Sequence, residues 1–422
     1  MLATSSRTKL LVAGLVLASL AACGQRSTEP GGQTPAELQA LPRPLSASEQ
    51  QLIDAGNDFA FSLFHQLGDA TPGANVFVSP LSASLALGMT MNGAGGSTFD
   101  AMRTTLGLGA IDNGAINGGY HDLIALLESL DPSTQLGIAN SIWYRQGLAV
   151  NSSFLNATRS AFGAEVESLD FGNVPATLAT VNGWVNTQTH GKISSILASV
   201  DPSDVMYLIN AIYFKGSWRL RFDSTQTQNA PFHAANSGAQ TVRLMHKQDT
   251  LLYQETPAFQ AVDLSYGNGA FRMTILLPTA GTSIDAFAAS INRTDWSTWM
   301  QGFQSHKIML ELPRFTLAYE RMLNDDLTAM GMGIAFDQQR ADFSRIASVS
   351  PDRLFISLVK QKAFIVVDEM GTEAAAATAV GVSITALPVI PTMRVDRPFV
   401  FAIRERLSGT ILFLGKITTL PA

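Results

Sequence analysis

The stretch Asp368-Glu369-Met370-Gly371-Thr372-Glu373-Ala374-Ala375-Ala376-Ala377-Thr378 decides how this chain is read. After Glu373 no charged residue occurs until Arg394, and no proline until Pro388. Four consecutive alanines favour helix. Val380, Val382, Ile384 and Thr385, which follow, are β-branched and interspersed with small residues. The segment therefore has mixed local preference and is long for a loop in a compact domain, where such loops are functional or disordered. An ordinary flexible surface loop is the bland alternative. Drawn out as a strand, it places Thr372, Ala374, Ala376 and Thr378 on one face and Glu373 on the other. The first face is small and uncharged throughout. A solvent loop has little use for such a face unless it is sometimes buried.

Outward from this segment the chain reads as strands. Ile356–Val359 and Ala363–Val367 precede it; Met393–Val395, Phe399–Arg404 and Ile411–Ile417 follow. Upstream, Leu251–Glu255, Gln260–Ser265, Arg272–Leu277 and Lys307–Arg314 are predicted strands, with helices at Thr282–Ala289 and Tyr319–Met330. Val205–Phe214 is almost wholly apolar and is predicted to be a strand buried on both faces. The first half is mainly helical. Ser48 is a candidate cap for a helix carrying Leu52, Ile53, Phe59, Phe61, Leu63, Phe64 and Leu67; further helices are predicted at Ser82–Asn92, Thr98–Leu106, Tyr120–Leu130, Asn151–Phe162 and Pro175–Thr189. Helices first and strands later, with no fixed alternation, make this an α+β chain. No Pro/Gly/Ser-rich linker divides residues 49–422, so one domain is expected.

Composition narrows the function. Of 422 residues, 46% are apolar and 15% charged, which excludes a disordered protein. The net charge of −6 is spread without long runs, so no nucleic-acid partner is expected. A single cysteine, Cys23, excludes a disulfide framework, a zinc–thiolate site and a cysteine protease. There is no Gly-x-Ser-x-Gly elbow, His-Glu-x-x-His pair, phosphate loop or Gly-x-Gly-x-x-Gly after a strand, and the six histidines are never at ligand spacing. Neither metal nor cofactor is expected. One Ser-x-x-Lys, Ser357 to Lys360, lies in a segment of strand composition and lacks the partner motifs of an acyl-transfer enzyme.

The N-terminus carries an address. Arg7 and Lys9 precede an apolar run from Leu10 to Leu20, and Leu20-Ala21-Ala22-Cys23 follows. This is a secretory signal pattern. Small residues before the cysteine also resemble a bacterial lipobox, which implies lipidation of Cys23 after removal of residues 1–22; an ordinary signal peptide with an incidental cysteine is the alternative. Residues 23–48, rich in Pro, Gly and polar side chains, are expected to be a flexible tether. The protein is then exported and lipid-anchored to the outer membrane or cell surface, or is secreted.

At residues 368–378 the sequence resembles the inhibitory hinge of the serpins. Asn75-Val76-Phe77-Val78-Ser79-Pro80-Leu81-Ser82 is similar to the segment leading into that family's central helix. Asn182-Gly183-Trp184-Val185 with Thr189-His190-Gly191-Lys192-Ile193, Leu208 to Trp218, Leu312-Pro313-Arg314-Phe315, Gly331 to Phe336, Ala341-Asp342-Phe343-Ser344 and Arg397-Pro398-Phe399-Val400-Phe401 resemble further family segments in family order, and Gly409 to Ile417 the terminal hairpin. The resemblance implies a single-domain fold with a large central mixed sheet, smaller sheets, about eight or nine helices and an exposed reactive-centre loop at about 369–396. It implies a monomer that traps a serine protease covalently. The protease cuts the loop, an acyl-enzyme forms, and the hinge Glu369, Gly371, Thr372, Glu373, Ala374, Ala375, Ala376, Ala377 and Thr378 enters the central sheet as an added strand before water frees the enzyme.

The resemblance, through the family's spacing from Glu369, implies a cut bond at Thr385-Ala386; counting back from the Arg397-Pro398-Phe399 anchor implies Leu387-Pro388, with Ala386-Leu387 between them. The first is preferred, because a proline after the bond lacks an N–H. A small bait residue implies an elastase-like or subtilisin-like target. A non-inhibitory binding protein or chaperone of the same family is the alternative. The resemblance also implies a polar cluster under the sheet formed by Asn210, Ser79 or Ser82, and Gln361, which stands where many serpins carry a histidine.

Overall fold

The computed structural model describes residues 36–236, 238–349, 353–372 and 390–420. Among them are nine α-helices. In the first half these are α1 (Ala47–Ala70), α2 (Pro80–Met91), α3 (Gly96–Thr105), α4 (Asn113–Ser129), α5 (Ser152–Phe162) and α6 (Val174–Gln188), interleaved with strands β1 (Val76–Val78), β2 (Gln135–Arg145) and β3 (Glu165–Leu169). Strands dominate the rest: β4 (Met206–Ser217), β5 (Gln228–Ala234), β6 (Gly238–Glu255), β7 (Phe259–Ser265), β8 (Phe271–Pro278), helices α7 (Ile284–Ser290) and α8 (Arg293–Gly302), β9 (Gln304–Pro313), β10 (Phe315–Met322), the short α9 (Asn324–Leu327), β11 (Lys360–Val367), β12 (Gly371–Thr372), β13 (Thr392–Arg394), β14 (Phe399–Glu405) and β15 (Ile411–Ile417). The α+β layout and the single domain are as expected, with the described residues forming one compact unit.

One sheet has nine strands in the order β1-β15-β14-β8-β7-β6-β9-β13, with β5 added beside β6. Its middle strands β8, β14 and β15 are buried along their whole length, with the charged Arg272, Arg404, Glu405 and Lys416 buried among their apolar side chains. Phe77 of β1 stacks on Phe401 and Phe413 at the centre of the main core. α2 is buried nearly all round, and it is capped by Ser79 with Pro80 in its first turn.

The central sheet is present in two parts. β10 pairs with β11, and β12-β4-β2-β3 form a second ladder. Among the described residues no ladder joins β4 to β11. This corrects the expectation that β4 is buried on both faces: Tyr207, Ile209, Ala211 and Tyr213 are buried, but Met206, Leu208 and Asn210 are only half-buried beside the seam.

Other elements differ from the sequence reading for identifiable reasons. The cap of α1 is Ser46, not Ser48; Ser46 and Glu49 form a capping box. Residues 319–322, predicted as helix, continue β10, because register with β11 outweighs local helix preference. Ile356–Val359 joins no ladder, and the strand begins only at Lys360. Residues 36–45, expected within the tether, are held by the domain. Glu37 bonds Arg272 (3.0 Å), Leu38 N–H donates to Asn268 O (2.8 Å), and Arg43 pairs with Glu49. Cys23, residues 373–378 of the hinge and the bait residues Thr385, Ala386 and Leu387 lie outside the described residues. No helix among the described residues is long and apolar enough to cross a membrane.

Candidate functional site: the hinge base and the cluster beneath it

β11 alternates cleanly, with Gln361, Ala363, Ile365 and Val367 buried. The chain then reverses within four residues. Asp368 and Gly371 exchange backbone hydrogen bonds, and the Asp368 carboxylate accepts from Met370 N–H (2.8 Å). Burial pushes the Asp368 carboxyl up despite that bond. Gly371 sits at φ 145°, a conformation open to glycine alone, and a Cβ there would lie 2.1 Å from Gly216 O. The reversal delivers β12 onto β4, with Gly371 opposite Ser217 and Thr372 opposite Gly216.

Thr372, expected to be exposed with the loop, is only 2% exposed. Its hydroxyl bonds the hydroxyl of Tyr266 at 2.7 Å. Tyr266 is fully buried, its pKa pushed up by desolvation, and its ring stacks on Trp218 at 4.5 Å. Glu369 accepts from the Thr227 hydroxyl (2.6 Å) and faces Arg314 (3.5 Å). The three carbonyls that open the hinge are all taken. Asp368 O accepts from the Trp218 indole N–H (2.8 Å), Met370 O from Trp218 N–H (2.8 Å), and Glu369 O from Phe222 N–H (2.9 Å). Tyr266, Thr227 and Phe222 were not singled out from the sequence, and Trp218 entered only as the end of a segment resembling the serpins. A buried partner for a threonine leaves no trace in spacing.

The polar cluster forms with both serines. Gln361 grips the backbone of Ser79, accepting from its N–H (2.9 Å) and donating to its C=O (2.8 Å). Ser79 Oγ donates to Leu412 O (2.7 Å) and caps Ser82 N–H. The Ser82 hydroxyl bonds Asn210 Oδ1, and Asn210 Nδ2 donates to Asn140 Oδ1 (2.6 Å). The cluster thus runs from β11 through the N-terminus of α2 to β4 and β2. Gln361 and Asn210 sit on opposite sides of the seam and are linked through the two serines. Asn140 was missed; a polar residue inside the apolar run of β2 was the available signal. Lys360 is engaged with Glu320 (2.5 Å), and Ser357 offers its carbonyl to Asn324, so the Ser-x-x-Lys pair belongs to local structure. Among the described residues no group of His, Cys, Asp and Glu side chains could hold a metal ion.

Comparison with known proteins gives this geometry its context. A family model described as "Serpin (serine protease inhibitor)" matches residues 54–420. An uncharacterized serpin-like protein of Thermococcus kodakarensis is 34% identical over 375 residues, 87% of this chain and 86% of the other. The leukocyte elastase inhibitor of Homo sapiens is 32% identical over 381 residues, 88% of this chain and 100% of that protein. Among solved structures, the thermophilic serpin tengpin in its native state superposes with a TM-score of 0.81 at 29% identity, covering 91% and 98% of the two chains. Thyroxine-binding globulin in complex with thyroxine gives 0.80 at 28% identity, covering 88% and 99%. The fold, the near-complete coverage and the family model agree: the chain belongs to the serpin family, inhibitors of serine proteases rather than catalysts.

Proposed function

We propose that the protein is a suicide-substrate inhibitor of serine endopeptidases, with an elastase-like or subtilisin-like target. The observation that carries this is β12, where the first two residues of the added strand already lie on β4. Continuing that register pairs each further loop residue with the residue one step back along β4. Ala374 then meets Phe214, Ala376 meets Ile212 and Thr378 meets Asn210. The bridge between Asp368 and Gly371 sets the other side, where the same residues meet Ile365, Ala363 and Gln361. Ala374 and Ala376 thus fall between buried partners, and Thr378 falls between Asn210 and Gln361, the members of the polar cluster on either side of the seam. The similarity to the leukocyte elastase inhibitor supports the target class.

In this mechanism the protease serine attacks the carbonyl of Thr385, or of Ala386, and expels the amine of the following residue. An ester then joins the two proteins. Insertion carries the esterified protease away before hydrolysis. Incubation with a panel of serine proteases should give an adduct stable in SDS with at least one elastase-like or subtilisin-like enzyme. Mass analysis of the released C-terminal peptide would then identify the bait residue. Loop cleavage without adduct across the whole panel would favour the non-inhibitory alternative.

The protein is further proposed to be anchored by lipid on Cys23, at the outer membrane or cell surface. The support is the Leu20-Ala21-Ala22 run before the only cysteine in the sequence. Cys23→Ala should move the protein from the membrane to the soluble fraction in its native host. Equal membrane retention of the variant would reject the anchor.

A further inference from the structure

Lys247 lies on β6, in a different sheet from β4 and β12, and its side chain is 7% exposed. Asp249 is 3.8 Å away. The closer partners of the amine are two backbone carbonyls, Leu220 O at 2.7 Å and Arg221 O at 2.5 Å. It also sits 5.2 Å from the centre of the Phe222 ring. Burial pushes the Lys247 amine down to about 8, with Asp249 opposing. A charged group is buried at some expense, and what it secures is a connecting segment rather than a carboxylate.

That segment leads from β4 towards β5. Trp218 and Phe222 flank the two pinned carbonyls, and these residues supply all three donors to Asp368, Glu369 and Met370. Hydrogen bonds from an ammonium are stronger than neutral ones, and this one group holds two successive carbonyls of the segment. We infer that Lys247 is a positioning residue for the hinge: it fixes the 218–222 segment in the shape that grips residues 368–370 and so sets the register, Gly371 opposite Ser217, from which insertion starts. The last step rests on the inhibitory reading; the grip itself does not.

Amide hydrogen exchange on the full chain tests the grip. Lys247→Met keeps the volume and removes the donors, whereas Lys247→Arg keeps a charged donor. In Lys247→Met the amides of Trp218 and Phe222 should exchange at least about tenfold faster, while amides of β2 and β14 hold their rates. Lys247→Arg should restore them to within roughly threefold of the parent. With a protease that forms the adduct, the moles of inhibitor consumed per protease inactivated should rise about threefold or more in Lys247→Met and fall back in Lys247→Arg. Unchanged exchange at Trp218 and Phe222, or equal acceleration throughout the chain, overturns the grip. Faster local exchange with unchanged stoichiometry overturns the link to insertion. If the parent protein forms no adduct, the inhibitory reading fails and the link to insertion with it, while exchange still decides the grip.

Discussion

Thr372→Arg is expected to convert the inhibitor into a substrate that is cut and released. In the native fold the new side chain cannot occupy the site of Thr372, which is sealed against Tyr266. Among the described residues β12 pairs with β4 at Gly371 and Thr372, and lifting these two positions carries the arginine to solvent. The loss there is two ladder positions and a neutral hydrogen bond worth about 0.5–1.5 kcal/mol. After insertion no such escape exists, because residue 372 is followed by a continuous strand. The guanidinium must then sit unpaired on the core face, at a cost on the order of several kcal/mol. Insertion races against hydrolysis of the ester, and a barrier raised by roughly 2.7 kcal/mol slows it about a hundredfold. The ratio of inhibitor consumed to protease inactivated should therefore climb steeply, with cleavage of the loop still rapid. Glu373→Arg is the control. Alternation along an extended strand turns it to solvent, and its ratio should stay near that of the parent. A normal ratio for Thr372→Arg would mean that trapping does not use hinge insertion.

Gly371→Ala should have a comparable effect through the backbone alone. At φ 145° a Cβ would meet Gly216 O at 2.1 Å, Ser217 Cα at 2.7 Å and Trp218 N at 2.8 Å, and all three are main-chain atoms that no rotamer change can move. Forcing a non-glycine residue into such a conformation costs on the order of 1–3 kcal/mol before any clash is counted. β12 should detach from β4 in both the native and the inserted forms, so insertion loses its starting point. A rise in stoichiometry of about tenfold or more is expected, together with a shift in Trp218 emission as Asp368 O leaves its indole N–H. Gly56→Ala serves as the control, since its Cβ would meet nothing within 4 Å and helix propensity favours alanine. Parent-like stoichiometry in Gly371→Ala would show that pairing of β12 with β4 is dispensable for trapping.

The parts of the fold that were legible in the sequence are those fixed by local pattern. The strands at Arg272–Leu277, Ala363–Val367, Phe399–Arg404 and Ile411–Ile417 follow from local composition, and the α1 face through Leu52, Phe59 and Leu67 from helical spacing. The hinge was read from the small, uncharged face of Thr372, Ala374, Ala376 and Thr378; of these only Thr372 lies among the described residues, and it is buried where exposure was expected. What escaped was set by partners distant in sequence. Residues 319–322 become strand because β11 lies alongside, and Leu208 and Asn210 stay half-buried because β4 has no ladder to β11. Tyr266 is 106 residues from Thr372, and its role is invisible without the fold. Both serines join the cluster because Ser79 caps the helix on which Ser82 sits, a link that the choice between them had left out.

The cluster beneath the seam consists of two serines, two asparagines and a glutamine, and its remaining partners are the carbonyls of Leu412 and Phe162. None of these groups takes up or releases a proton between pH 5 and 8. A histidine at the Gln361 position would titrate near 6.5 in an ordinary environment, making the work of parting β4 from β11 depend on acidity. With glutamine there, that work is set by neutral hydrogen bonds alone. The latch beneath the seam is therefore indifferent to acidification, and any pH sensitivity in trapping has to arise outside it, in the protease or at titratable groups beside the hinge such as Asp368 and Lys247.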